Sequence, residues 1–163
     1  MIFVLSMLTI REATINDADT IVSLIKELAE YEKLSHEVVA TKELIEKNLF
    51  GEHSTAESLI ASYEGSIVGF ALFFTNFSTF LAKPGIYLED LYVKPQFRGK
   101  GIGKKLLLEL VQIAKQREYG RVEWAVLDWN NPAIQFYRSL GAQPQDEWTV
   151  YRITSELFDG MLS

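Results

Sequence analysis

Apolar and polar positions along the chain alternate between a strand period and a helix period. Leu8 to Glu12 reads as a first strand, reached through the apolar lead-in from Met1 to Ile10. Ala18, Ile21, Val22, Ile25, Leu28 and Ala29 recur at helical spacing and predict a helix ending near Tyr31. Thr14 stands before it as a cap, with Asp17 completing a capping box. A second helix is predicted from Thr41 to Asn48, stopping before Gly51. Glu57 to Tyr63 and Ser66 to Phe74 read as two strands joined by the hairpin signal Glu64-Gly65.

Asn76 to Gly85 reads as a loop with Pro84-Gly85 as turn punctuation, and Ile86 to Val93 as another strand. A helix follows from Gly103 to Glu118, with Leu107, Leu110, Val111 and Ala114 as its apolar stripe. Arg121 to Leu127 is predicted as a strand. Asn131-Pro132 opens a further helix, since asparagine caps well and proline fits a first turn, and Gly141 ends it. Trp148 to Ile153 is predicted as a last strand and Thr154 to Leu162 as a short closing helix. This mixture of strands and helices implies an α/β or α+β domain.

Composition narrows the chemistry. A length of 163 residues suits a single domain covering 1–163, and 48% hydrophobic with 23% charged residues is ordinary for a globular protein. There is no cysteine, which excludes disulfides, thiolate metal sites and a cysteine nucleophile. His36 and His53 are the only histidines, which argues against a multi-histidine metal site or a Ser-His triad; no metal is expected. The net charge of −6 argues against nucleic acid and favours cationic ligands. The lead-in has no basic n-region or cleavage site and is too short to cross a bilayer, so a cytoplasmic protein without membrane contact is expected.

The most informative segment runs from Tyr92 to Lys104, between a strand and an amphipathic helix. Gly99, Gly101 and Gly103 let the backbone turn tightly and approach a ligand, and the helix start offers unpaired N–H groups to a pyrophosphate. Arg98, Lys100 and Lys104 add positive charge. A phosphate loop of the GxxxxGK[ST] kind is absent, and the glycine spacing does not fit a dinucleotide fingerprint. A tight connection without a ligand is the other reading of such a loop.

Arg98-Gly99-Lys100-Gly101-Ile102-Gly103 resembles the R/Q-x-x-G-x-G/A acyl-CoA loop of the GNAT acetyltransferases, and the order of elements is similar to that family along nearly the whole chain. The resemblance implies the GNAT acyl-CoA N-acyltransferase fold, a central mixed, twisted and splayed sheet flanked by helices. It implies acetyl-CoA as cosubstrate. Leu91 and Val93 would meet the acetyl and pantetheine arm, and Arg98, Gly99, Lys100, Gly101, Ile102, Gly103 and Lys104 the pyrophosphate.

Acetylating an amine raises two proton problems. A lysine-like amine with a pKa of about 10.4 is protonated at neutral pH, and the leaving thiolate needs a proton or an equivalent stabilising contact. Glu89-Asp90 precedes the glycine loop, and Tyr137 lies on the helix opened by Asn131-Pro132. A tyrosine with a pKa of about 10 keeps its proton at neutral pH. Strand alternation points Glu89 and Asp90 to opposite faces, so their joint use requires a bulge or splay. Solvated edge acids and a core aromatic are the plainer readings of the same residues.

Three separated regions resemble the spermidine/spermine acetyltransferase subgroup: Tyr87 to Val93, Leu24 to Glu32, and Phe50-Gly51-Glu52-His53. Ala125 to Asn130, Phe136-Tyr137 and Leu140-Gly141-Ala142 are similar to its thialysine branch. The resemblance implies Tyr137 as acid to the thiolate and Glu89 as acceptor of the amine proton through water. Asn130, Ala133 and Tyr137 would contact the CoA arm. Glu32, Glu89, Asp90 and the pair Asp146-Glu147 with Trp148 would meet the substrate cation. A homodimer is expected on the same ground.

The sequence departs from the polyamine enzymes in a longer Asn76–Ile86 loop, in Phe80 where a tryptophan is expected, and in a short Gln143–Trp148 segment. The aromatic group Phe73, Phe74, Phe77 and Phe80 either narrows the site or belongs to the core. A protein or aminoglycoside amine as acceptor, and an acyl-CoA-binding module without turnover, stand as alternatives.

Overall fold

A computed structural model describes residues 8–162, and most of the lead-in from Met1 lies outside them. The chain forms two compact units that divide after Ala125.

The first unit is built on a five-stranded sheet of order β1-β2-β3-β4-β5. Its strands are β1 (Leu8–Glu12), β2 (Ala56–Tyr63), β3 (Ser66–Ser78), β4 (Lys83–Val93) and β5 (Val122–Trp124). The first four pair antiparallel and β5 runs parallel to β4. Tyr63 pairs with Ser66 across Glu64 (φ 50°) and Gly65 (φ 80°), the two positive dihedrals of a tight hairpin.

Helix α1 (Ala18–Tyr31) and helix α2 (Lys42–Leu49) cover one face. There Ile21, Leu24 and Leu28 of α1 and Leu49 of α2 pack on Ile60, Phe70 and Tyr92, which lie side by side across β2, β3 and β4. Helix α3 (Ile102–Gln116) packs on β2, β3, β4 and β5. It buries Ile102, Leu106, Leu110 and Ala114, a row at four-residue spacing, with Leu107 beside it. Val111, expected in that stripe, lies off the row and is exposed; Leu106 takes its place.

Asp17 fixes the entry to α1. It is buried and accepts from the Thr14 amide at 2.7 Å. Both its oxygens also meet Arg11, at 2.7 and 2.8 Å. The capping box expected at Thr14 is present, but it closes a short 3₁₀ turn (Ile15–Asp17) that leads into α1.

Two strand ends differ from expectation. The Asn76–Gly85 loop is mostly ladder, since Asn76 pairs with Gly85 and Ser78 with Lys83, leaving a turn of residues 79–82. Gly85 serves close packing there rather than a turn. A Cβ on it would sit 2.8 Å from Asn76 Oδ1 and 3.0 Å from the Arg121 carbonyl. Strand β5 ends at Trp124 rather than Leu127, and the chain turns where the Asn130 amide donates to the Leu127 carbonyl at 2.8 Å.

The second unit holds helices α4 (Asn131–Ser139) and α5 (Phe158–Met161). Asn130, not Asn131, caps α4: its side-chain oxygen accepts from the Ala133 amide at 3.4 Å. Gly141 (φ 86°) ends the helix, with its amide on the Arg138 carbonyl and that of Ala142 on Tyr137. The strand expected at Trp148–Ile153 is absent. Trp148, Val150 and Tyr151 are exposed, and no described strand pairs with them, so there is no ladder to hold an extended conformation. The closing helix is shorter than expected, a turn (Ser155–Leu157) followed by α5. Among the described residues no helix is long and apolar enough to cross a membrane.

Asp17→Ala should cost about 1–2 kcal/mol, the usual price of a lost cap, read as the difference in urea unfolding from the unaltered chain at neutral pH. Arg11 and the Thr14 amide hold the Asp17 carboxyl down at about 2. A depressed folded value stabilises above the ordinary carboxylate range and is lost as pH falls. The gap between the two proteins should therefore narrow as pH is lowered toward about 3.

Candidate active site

One irregularity in β4 organises the site. Leu72 of β3 pairs with Asp90 and the next residue, Phe73, pairs with Leu88, so Glu89 is an extra residue opposite a continuous partner. This is the bulge that joint use of Glu89 and Asp90 requires. Such a bulge re-aims the side chains around it. Asp90 stays in line with Leu72 and Tyr92 on the α1 face, while Phe73 lines a cavity with Ile113 of α3.

The parallel ladder to β5 stops at the same place. It joins Ile86 to Val122, Tyr87 to Glu123 and Leu88 to Trp124, and goes no further. From Glu89 to Val93, β4 keeps β3 on one edge and has no strand of the described residues on the other. The sheet is open there, and an extended ligand arm can lie along the exposed edge through Leu91 and Val93.

Three carboxylates interact around Asp90. Glu89 is exposed, and Asp90 and Glu32 are partly buried. Burial, with Glu89 and Glu32 as like-charged neighbours, pushes the Asp90 carboxyl up to about 7. Burial alone raises Glu32. Glu32 caps the C-terminus of α1, and its position is set by the way the helix ends. Lys33 (φ 63°) takes a left-handed conformation, its amide on Glu30 and that of Leu34 on Ala29 at 2.8 Å. Two partly buried acids with an exposed third beside Asp90 repel each other and favour a cation.

Beyond β4 the glycine loop turns into α3. Gly99 and Gly101 both have φ 77°, a region that disfavours any side chain, and open space surrounds the position of a Cβ on either. Gly101 caps α3 and its carbonyl takes the Lys105 amide at 3.0 Å. The amides of Ile102, Gly103 and Lys104 therefore precede the first helical bond and stand at the positive end of the helix. Lys100 and Lys104 are exposed, and neither ammonium has an ion-pair partner among the described residues. The Lys100 ammonium lies 5.5 Å from the Tyr63 ring centre. Open space, bare amides and two exposed cations fit a pyrophosphate.

Arg98 is also bonded to the backbone. Its Nε donates to the Val93 carbonyl at 2.8 Å, and its guanidinium carbon lies 4.5 Å from the Tyr31 ring centre and 5.6 Å from that of Tyr92. Tyr92 in turn donates to Glu27 at 3.3 Å, and Glu27 pairs with Lys94 at 3.5 Å. Glu27, Tyr31 and Tyr92 were not singled out by sequence reasoning as partners of the loop. The available signal was the spacing of Glu27 and Tyr31, one helical turn apart on the face toward β4.

The structure thus gathers Glu32, Glu89 and Asp90 at one end of the open edge, and the loop from Arg98 to Lys104 at the other. In the second unit Tyr137 is partly buried on α4, with its ring 5.3 Å from that of Phe136. Asn130 is buried and its side-chain oxygen serves the cap on Ala133. Asp146, Glu147 and Trp148 lie in an exposed irregular segment. The aromatic group divides: Phe73 is core, Phe74 stacks on Tyr87 at 5.1 Å, and Phe77 and Phe80 are exposed near the β3–β4 turn.

The Acetyltransferase (GNAT) family matches residues 21–142. A thialysine N-epsilon-acetyltransferase of Bos taurus is 37% identical, over 93% of this chain and 95% of its own. The L-ornithine N5-acetyltransferase NATA1 of Arabidopsis thaliana is 47% identical over a shorter stretch, 55% of this chain and 40% of its own. Among solved structures, an integron cassette protein of V. cholerae superposes with a TM-score of 0.81 at 26% identity, covering 96% of this chain and 98% of that one. An open sheet edge, a glycine loop at a helix start and these relatives lead to one conclusion: the chain belongs to the GNAT acetyltransferase family and is an N-acetyltransferase.

Proposed function

We propose that this enzyme transfers the acetyl group of acetyl-CoA to a primary amine of a small cationic acceptor, a diamine, polyamine or lysine analogue. The observation that carries the reading is the opposition of charge along the open edge of β4. Carboxylates Glu32, Glu89 and Asp90 stand at one end and the basic glycine loop at the other. The thialysine and ornithine acetyltransferases among its relatives support an amino-acid-like or polyamine acceptor. The resemblance supports a homodimeric, cytoplasmic enzyme acting as one catalytic domain.

Acetyl-CoA, when bound, supplies an activated acetyl group and a thiolate leaving group. The amides of Ile102, Gly103 and Lys104, with Lys100 and Lys104, would hold its pyrophosphate. Leu91 and Val93 would hold the extended arm. Glu32 and Asp90 bind the acceptor as a cation, and Glu89 takes a proton from its amine through water. Asn130, Ala133 and Tyr137 are assigned to the arm, and Asp146, Glu147 and Trp148 to the acceptor, on the resemblance of their stretches. Tyr137 Oη gives its proton to the departing sulfur on the same ground.

The direct experiment is CoA release with purified enzyme across spermidine, putrescine, lysine, thialysine, ornithine, an aminoglycoside and a lysine peptide. Release with the small diamines or lysine analogues, well above the aminoglycoside and peptide, is expected; silence with all the small amines contradicts the reading. With the best amine, Tyr137→Phe should lower turnover by about 10²–10⁴-fold, as loss of an acid group does, with acetyl-CoA affinity little changed.

The pH dependence has a definite sign. A raised carboxyl holds its proton at slightly acidic pH and loses it through about 7. kcat/KM for the amine should rise from pH 6 to pH 8 with an inflection near 7. Asp90→Asn should abolish that inflection in a pH–rate profile. The same raised value means that Asp90 stabilises the fold less as pH rises, because the unfolded chain has already ionised it. Thermal unfolding of Asp90→Asn should therefore gain on the unaltered chain between about pH 4 and about pH 7.

A further inference from the structure

The guanidinium of Arg98 is engaged by the protein itself. One nitrogen is bonded to the Val93 carbonyl, and the planar group lies between Tyr31 at 4.5 Å and Tyr92 at 5.6 Å. Tyr31 is the last residue of α1, and the next residue is Glu32, the carboxylate facing Asp90. One turn earlier Glu27 ties the same helix to Tyr92 and Lys94. The end of α1 is thus held to β4 and the glycine loop at two levels. Without that hold, Lys33, a non-glycine residue in the left-handed region, gives the helix end a reason to relax.

We propose that Arg98 is a positioning residue for the acceptor: by clamping Tyr31 it holds Glu32 against Asp90, linking the acyl-CoA loop to the amine site. This rests on the reading of Glu32 and Asp90 as the acceptor site. Its kinetic signature is a raised KM for the amine, while acetyl-CoA, held by backbone amides and by Lys100 and Lys104, keeps most of its affinity.

The test is a double-mutant cycle on Tyr31 and Arg98 in the full-length enzyme. Amine KM and kcat are measured in parallel with acetyl-CoA affinity by calorimetry. Tyr31→Leu removes the ring and should raise the amine KM by about five- to tenfold, the range of a partly desolvated cation–π contact. Tyr31→Phe retains the ring and should restore the KM. Acetyl-CoA affinity in both should stay within about twofold, which also shows that the loop remains folded. Arg98→Gln should raise the amine KM similarly, and the double variant should add little to either single change.

A Tyr31→Leu variant that loses acetyl-CoA affinity and keeps its amine KM, or additive effects in the cycle, overturns the role of Arg98 alone. An unaltered chain that turns over no small cationic amine overturns the acceptor site itself, and the role of Arg98 with it.

Discussion

The site depends on β4 changing its partners at Glu89. Up to Leu88 the strand is paired on both edges. At Glu89 an extra residue enters the ladder to β3, and the ladder to β5 ends. Backbone N–H and C=O groups need partners, so an open edge inside a sheet is costly unless solvent or a ligand completes it. The irregularity thus coincides with an open edge and interrupts the alternation that would send Glu89 and Asp90 to opposite faces.

Charge follows the same geometry. Burial of Asp90, with Glu89 and Glu32 as like-charged neighbours, raises its carboxyl to about 7, so a cation placed there would relieve the repulsion. At the far end of the strand, bare amides and two lysines do the opposite for phosphate. On the proposed reading, a single strand would meet a cation at one end and an anion at the other. The two ends carry opposite charge, and the Arg98 guanidinium meets the Val93 carbonyl and the rings of Tyr31 and Tyr92.

Much of this was legible in the sequence. Helical periodicity placed the end of α1 near Tyr31, and Glu64-Gly65 marked the hairpin of β2 and β3, though not the register shift between Ala61 and Ser62. The glycine turn into α3 was legible because positive dihedrals and a helix start follow directly from residue type. The requirement for a bulge at Glu89-Asp90 was legible, because alternation alone cannot serve both acids. Other features were not. Gly85 looked like a turn residue because a glycine that turns and a glycine that allows close packing are written alike. Asn130 and Asn131 are equally good caps on paper, and only the chain turn at Leu127 decides between them. The Trp148–Ile153 segment has a strand's composition, but a strand also needs a neighbour, which composition does not supply. The raised value at Asp90 comes first from burial, then from Glu89 beside it and Glu32 far away in sequence, and burial is a product of the fold rather than of the local sequence.

Hydrogen exchange with and without acetyl-CoA tests the central claim most directly. If the open edge of β4 and the start of α3 receive the cosubstrate, acetyl-CoA should slow exchange at those amides of Glu89–Val93 that face away from β3, and at Ile102, Gly103 and Lys104. The amides of β1 and β2 should be unchanged. Slowed exchange elsewhere, with the β4 edge and the α3 start unaffected, would contradict the account.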